Sequence, residues 1–207
     1  MRGTICLLAA AAFATAAQAT DLSVSVRTGN GRGVPNAVVT LYPGAAGDAP
    51  RFDWPYRMAQ QNLQFDPFVL IVPVGAVVAF PNRDSVRHQV YSFSPAHPFE
   101  LRLYGKDETR TVRFERAGVV ALGCNIHDGM VAFIKVVDTP FAAKSDASGV
   151  AALRGAPGGG AILHVWQPYL KSPNNEIVRS IVLPRDGAVR ETLLVDLRTP
   201  PDRRADY

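Results

Sequence analysis

One short stretch of the chain, residues 123–130, carries side chains that commonly bind a metal. Cys124, His127 and Met130 offer a thiolate, an imidazole and a thioether, each three residues after the last. This mix of soft and borderline donors suits copper, with Met as the weak axial ligand of a blue-copper site. The alternative interpretation is a buried Cys with a surface His and a core Met nearby.

Residues 1–19 are typical of a secretory signal. Arg2 supplies the positive start, an apolar run follows over residues 5–17, and a small-x-small cleavage site precedes Thr20. The run is too short for a membrane span, and no later stretch reaches the roughly 18 to 20 apolar residues that one needs. We therefore expect a soluble protein that is exported to the periplasm.

Cysteine usage favours the metal interpretation. The chain has two Cys, and Cys6 is lost with the signal. Cys124 is then the only thiol in an oxidising compartment, where it cannot form an internal disulfide. A single Cys there implies an intermolecular bridge, a reactive thiol or a metal ligand. His127, three residues on, favours the ligand.

The charge balance gives no sign of a nucleic-acid partner. The chain has 22 basic and 18 acidic side chains, and only one basic residue, Arg2, leaves with the signal. No basic cluster or stripe stands out, so a nucleic-acid-binding role is not indicated.

Strands must position these donors. Residues 119–122 and 131–137 are apolar strands on either side of the Cys124 loop. A blue-copper site needs a second His from elsewhere in the fold. His88 is the best candidate, since it follows a polar loop and opens the predicted strand 88–93. It lies 36 residues before Cys124, so adjacent strands of a sandwich have to bring the two together.

The rest of the chain predicts an all-β protein. Short apolar or alternating runs are separated by Gly/Pro turns, and no convincing amphipathic helix is present. The further predicted strands are 22–26, 37–42, 68–72, 76–80, 111–114, 150–153, 161–166, 177–183 and 189–197.

Two motifs resemble the cupredoxin family. The run PNRDSVRHQV, ending at Val90, resembles the family's first-histidine loop, and Cys124-x2-His127-x2-Met130 is similar to the short ligand loop of amicyanin-type cupredoxins. The resemblance covers roughly residues 56–138. It implies a Greek-key β-sandwich that holds one type 1 copper ion, with His88, Cys124 and His127 as equatorial ligands and Met130 as axial ligand.

A closer resemblance is to bacterial exported proteins labelled methylamine-utilization or plastocyanin-like. Shared runs are FPNRD from Phe80, H-x-VYSFSP from His88, FEL at 99–101, LGCNIHD at 122–128 and DTP at 138–140. Two positions depart from the pattern: an aromatic usually stands where this chain has Gly129, and a second His often stands at Gln89. Neither departure removes a core ligand.

The flanks resemble a carboxypeptidase-regulatory or transthyretin-like domain. Its first half is similar to the pattern from Val24 to PNAVVTL at 35–41, and its second half to SDASG at 145–149 with GAILHV at 160–165. The resemblance implies a small Ig-like β-sandwich whose two halves, 20–55 and 139–198, enclose an inserted cupredoxin domain, 56–138, with a flexible tail at 199–207. The alternative is two consecutive domains, with the N-terminal strands joining the cupredoxin sheet.

The expected function is that of an electron carrier rather than an enzyme. By resemblance, its partners are a dehydrogenase or quinone-side donor and a c-type cytochrome. A copper-delivery protein, or a metal-free cupredoxin-like interaction module, is the alternative. The apolar Ile126 and Phe93 are either a docking patch for the partner or ordinary core.

Other chemically capable residues are weaker candidates. His97 and His164 are expected to be ordinary surface or packed histidines, and Met58 has no ligand partner nearby. Asp84 and Asp128 flank the proposed ligands, so they either orient the loops by hydrogen bonding or are solvated loop acids.

Overall fold

A computed structural model describes residues 19–44, 48–127 and 129–200 of the protein. Its regular structure is β-strand, apart from one short 3-10 helix, Pro173–Asn175, which confirms the all-β prediction. No helix of the described residues has the length and apolar character to cross a membrane. The predicted signal lies outside the described residues except for Ala19, the first residue of β1, and so does the tail from residue 201 onward.

The strands follow one another with short connections. They are β1 Ala19–Thr28, β2 Val38–Pro43, β3 Ala59–Gln61, β4 Gln64–Asp66, β5 Val69–Pro73, β6 Ala76–Pro81, β7 His88–Ser92, β8 Phe99–Tyr104, β9 Thr109–Phe114, β10 Gly118–Gly123, β11 Val131–Val137, β12 Ala142–Lys144, β13 Val150–Pro157, β14 Gly159–Trp166, β15 Glu176–Leu183 and β16 Gly187–Val195.

The middle of the chain forms one sandwich. One sheet has the order β5-β11-β10-β7-β8, and the pair β6-β9 faces it. The β5–β11 pair is parallel, while the other pairs of this unit's sheets are antiparallel. Alternating side chains of both layers, such as Val78, Phe80, Val120 and Ile134, fill a shared core.

The two ends of the chain form a second sandwich. Its sheets have the orders β13-β1-β16 and β12-β2-β14-β15, and their inward side chains make a separate core. Ser145 links the two halves, because its hydroxyl donates to Val34 O at 2.8 Å and accepts from Ala37 N–H at 2.9 Å. Strands β1 and β2 thus pair with C-terminal strands, as an inserted middle unit predicts; the domain boundaries themselves stay a prediction.

A third apolar cluster joins the two sandwiches. Trp166 and Val38 of the flanking unit pack with Val69, Ile71 and Val137 of the middle unit. Lys135 of β11 adds an ion pair with Glu176, at 2.9 Å. The contact between the two units is therefore mainly apolar.

Four short strands were not predicted: β3, β4, β8 and β12. Strands β3, β4 and β12 have three residues each, too few for an alternating pattern. The β3–β4 turn uses Asn62 and Leu63 at positive φ, and Leu is not a turn signal. Strand β8 lies at the edge of its sheet, and its alternating run FELRL, residues 99–103, is a strand signal that the prediction overlooked.

The packing of the two chain ends predicts that two nearby glycines, Gly29 and Gly33, differ in how well they tolerate a side chain. A Cβ at Gly33 would lie 2.1 Å from the carbonyl oxygen of Ser148, while a Cβ at Gly29 meets nothing within 4 Å. We expect Gly33→Ala to lower the free energy of unfolding by about 1–3 kcal/mol, because backbone must move to admit the methyl group. The matched control Gly29→Ala should not destabilise the protein. Chemical denaturation measures both, and equal stabilities would contradict the described contact.

Candidate metal centre

The loop with the predicted ligands closes a β-hairpin. Strand β10 ends at Gly123, β11 begins at Val131, and the two strands pair along their whole length. Within the loop, Met130 N–H donates to His127 O at 3.0 Å. The hairpin therefore fixes both ends of the loop.

Strand β7 brings the distant histidine to this hairpin. It pairs with β10 through Tyr91 and Gly123, and His88 is its first residue. Gly123 suits this contact, because a Cβ there would lie 2.7 Å from the Tyr91 ring. The predicted approach of His88 to Cys124 thus results from direct pairing of neighbouring strands.

Three of the four predicted ligands converge on one point. Cys124 Sγ lies 3.9 Å from His88 Nδ1 and 3.8 Å from His127 Nδ1. One donor atom from each of the three residues falls within 4.8 Å of the others, the only such group among the described residues. His88 and Cys124 are buried, and His127 is partly exposed.

These distances fit a bound metal ion. With metal–sulfur and metal–nitrogen distances of about 2.3 and 2.0 Å, as in zinc sites, a trigonal arrangement separates sulfur and nitrogen by roughly 3.7 Å. Two imidazoles and one thiolate in a trigonal set are the strong ligands of a type 1 copper ion. The donor set and its spacing therefore fit one copper ion of this class.

The surroundings of Cys124 favour the thiolate. Burial raises the pKa of the thiol, but hydrogen bonds from His88, from the backbone N–H groups of Gln89 and Ile126, and from His127 outweigh it. The pKa is lowered from 9.0 to about 6. Because a metal binds the deprotonated sulfur, Cys124 is largely in the form that can bind a metal at neutral pH.

His88 is oriented by a carboxylate. Its Nε2 lies 2.8 Å from Asp84 Oδ2, which leaves Nδ1 facing Cys124. Burial acts to lower the pKa of His88, but hydrogen bonds with Cys124 and Asp84 raise it above its ordinary value. Asp84 is itself held in place, since it accepts hydrogen bonds from the N–H groups of Asn62 and Leu63 at 2.7 and 3.0 Å. Of the two roles considered for Asp84, the structure favours hydrogen bonding.

The structure places the other residues that the sequence analysis named around the metal centre as follows. Met130 is fully buried in the same apolar cluster as Cys124, and its role as axial ligand stays a prediction. Asp128 lies outside the described residues. Phe93 is 85% exposed and Ile126 is 49% exposed, so neither is ordinary core.

Three residues lie outside the ligand group. His97 packs its ring 4.9 Å from that of Phe114. His164 is half-buried, with Nδ1 3.2 Å from Glu176 Oε2. Met58 is buried in the core of the middle sandwich. Contacts with the rest of the fold therefore account for all three side chains.

Sequence reasoning missed two supports of the site. The N–H groups of Gln89 and Ile126 bond to the sulfur, but backbone donors leave no mark on residue type. The fit of Gly123 against Tyr91 depends on strand register. A glycine directly before the ligand Cys, at a strand end, is the one available signal for it.

The donors around the sulfur predict a low thiol pKa in the metal-free mature protein. Cys124 should titrate near pH 6 instead of 9.0, with thiolate above this midpoint and thiol below it. Thiolate absorbance in the ultraviolet, measured against pH, reports the midpoint, and Cys124→Ser supplies the baseline. A midpoint close to that of a free thiol would contradict the described contacts.

Loss of the Asp84 carboxylate should weaken copper binding. Asp84→Asn removes the charge that fixes the His88 ring, and changes at such supporting groups cost about 10- to 100-fold in metal affinity. Asp186→Asn, at an exposed turn between β15 and β16, is the matched control and should bind like the wild type. Competition titration against a copper chelator measures the affinities. An unchanged affinity for Asp84→Asn would show that the hydrogen bond does not support the site.

No family model matches the chain, and no curated protein matches it. Among solved structures, a copper-containing nitrite reductase from Thermus scotoductus is 27% identical with a TM-score of 0.40, and the match covers 47% of this chain and 25% of that one. The matched part thus spans a quarter of the reductase.

Two smaller proteins are matched over nearly their whole length. A reduced tryptophan-to-tyrosine variant of amicyanin is 18% identical with a TM-score of 0.38, covering 48% of this chain and 98% of that one. A purple cupredoxin from Nitrosopumilus maritimus is 20% identical with a TM-score of 0.34, covering 57% and 99%. All three TM-scores are below 0.5, so the strand order and donor geometry described above carry the assignment. On those grounds the middle strands, β3 to β11, form a cupredoxin-like β-sandwich.

Proposed function

We propose that the protein is an exported type 1 copper protein that carries single electrons in the periplasm. The observation that supports this most directly is the convergence of two imidazole nitrogens on the Cys124 sulfur, at 3.8 and 3.9 Å. The predicted signal at residues 1–19 supports the location. Bound copper would supply a one-electron Cu(I)/Cu(II) couple at this point.

The chain's contribution is to hold the donors still. His88 opens a strand of the sheet, and Cys124 and Met130 lie at the two ends of a hairpin loop. Donors fixed in this way accommodate both oxidation states with little rearrangement. We infer a carrier rather than an enzyme, because two His, one Cys and the predicted axial Met130 would leave no open position for a substrate.

A contact surface for a redox partner lies next to the site. His127 is the partly exposed ligand, while His88 is fully buried. Ile126, the neighbour of His127 in sequence, is an exposed large apolar residue. The exposed Phe93 lies 5.0 Å from the ring of Tyr91, the strand partner of Gly123. We propose that this face meets a redox protein such as a c-type cytochrome or a dehydrogenase, with His127 nearest to the partner.

Carrier and delivery functions predict different copper retention. Copper-loaded protein would be reduced with ascorbate and reoxidised with ferricyanide, in the presence and absence of the Cu(I) chelator bathocuproine. A carrier should cycle repeatedly and keep its copper. Rapid transfer of Cu(I) to the chelator would favour a delivery protein, and failure to bind copper would favour a metal-free interaction module.

The thiolate and the thioether should have separable effects. Cys124→Ser should abolish the intense blue colour, because such sites depend on the copper–thiolate bond, while the fold is largely retained. Met130→Leu should keep the colour and shift the reduction potential, because the axial ligand tunes it. Optical and paramagnetic spectra with voltammetry measure both. Survival of the colour in Cys124→Ser would rule out the proposed ligand set.

A further inference from the structure

A second concave site lies where the two sandwiches meet, at the free edge of β5. It is a pocket of about 490 Å³, within the size range of small-molecule sites. The middle unit contributes its β5 edge, and the flanking unit contributes Lys144 and Ala152. Trp54, which precedes β3 and packs against the core of the middle unit, also lines the pocket. None of the proposed copper ligands lines it.

The pocket has a polar edge at β5. This strand is the last in its sheet, so one row of its backbone groups has no strand partner. Lys144 Nζ donates to Val69 O at 2.8 Å, and Trp54 Nε1 donates to Ile71 O at 2.9 Å. The N–H groups of Val69 and Ile71 lie along the same edge, because the N–H and C=O of one strand residue point to the same side. Hydrogen-bond donors thus line this edge.

Part of the lining is apolar. Trp54 stacks on Phe52 with ring centroids 4.5 Å apart and an interplanar angle of 9°. Leu70 and Pro67 also line the pocket. An indole fixed by stacking and by a hydrogen bond offers a rigid face for a planar apolar group.

Positive charge exceeds negative charge around the pocket. Lys144, Arg57 and Arg83 line it, against one carboxylate, Asp66. No ion pair within 4.0 Å involves any of these four groups in the part of the chain described. Burial lowers the pKa of Lys144, and Asp66 acts in the opposite direction. An ammonium that is partly withdrawn from water, with no carboxylate of the described residues within 4.0 Å, is stabilised by a bound anion.

We propose that this pocket binds a small organic carboxylate with a flat apolar body. The carboxylate accepts hydrogen bonds from Lys144 and the β5 edge, and the apolar body lies against Trp54. The two exposed arginines of the lining raise the local concentration of anions at the pocket. Because residues of both sandwiches line the pocket, an occupant also links the two units. The inference is independent of the copper function.

Benzoate is a suitable first probe, since it combines one carboxylate with one flat ring. Benzyl alcohol provides the ring without the charge, and inorganic phosphate provides the charge without the ring. Isothermal titration calorimetry on the full mature protein measures binding, and fluorescence of Trp54 provides a second signal. We expect saturable benzoate binding with a Kd of about 1 mM or lower, and much weaker binding of the other two.

Neutralising the Lys144 ammonium, which is anchored on Val69 O, locates the site. Lys144→Met should weaken benzoate binding about 10-fold or more, because a charge-assisted hydrogen bond is lost. Lys171→Met, at an exposed lysine outside the pocket, is the matched control and should bind like the wild type. Arg57→Gln removes an exposed charge of the lining and should weaken binding less, which keeps the test valid if Lys144→Met fails to fold.

Four results would each contradict a part of the proposal. Equal binding of benzoate and benzyl alcohol would exclude recognition of the charge, and equal binding of phosphate would exclude the apolar body. Unchanged affinity in both Lys144→Met and Arg57→Gln would place the site elsewhere. Absence of saturable binding at millimolar benzoate would overturn the pocket as a carboxylate site. None of these results depends on copper loading, so the failure of one proposal leaves the other intact.

Discussion

The pairing of β7 with β10 is the contact on which the metal centre depends. Gly123 and Tyr91 are partners in this pair, and the Tyr91 ring fills the space that any larger side chain at position 123 would occupy. This close approach sets His88 and Cys124 on neighbouring strand ends although 36 residues separate them in sequence. A shift of one residue in the register of β7 would turn His88 to the opposite face of the sheet. Strand register therefore determines whether the sulfur has a second imidazole.

Around the sulfur, burial and hydrogen bonding act in opposite directions. Burial favours the neutral thiol, and donors from two imidazoles and two backbone amides favour the thiolate. The donors are held by strands on either side and, for His88, by Asp84. The donors are therefore arranged to bind a cation before any cation is present. Burying the thiolate costs free energy, and the packing of the sandwich offsets this cost.

Local patterns in the sequence predict the donor set and most of the strands. The spacing of Cys124, His127 and Met130 and the alternation in β1, β9 and β14 are visible within a few residues. Contacts made by backbone groups are not visible in this way, and neither are strands of three residues. The pocket at β5 also could not be predicted, because Trp54 and Lys144 are 90 positions apart and each is unremarkable in its own segment. Proximity that arises only when two sandwiches pack leaves no local signal.

The capping of β5 has a consequence for how the protein behaves at high concentration. An exposed sheet edge is a template on which strands of other molecules can add. Here the side chains of Lys144 and Trp54 donate hydrogen bonds to the carbonyls of Val69 and Ile71. A charged ammonium and a bulky indole along an otherwise apolar strand obstruct an incoming chain. The same two side chains that shape the junction thus protect the protein against edge-to-edge aggregation.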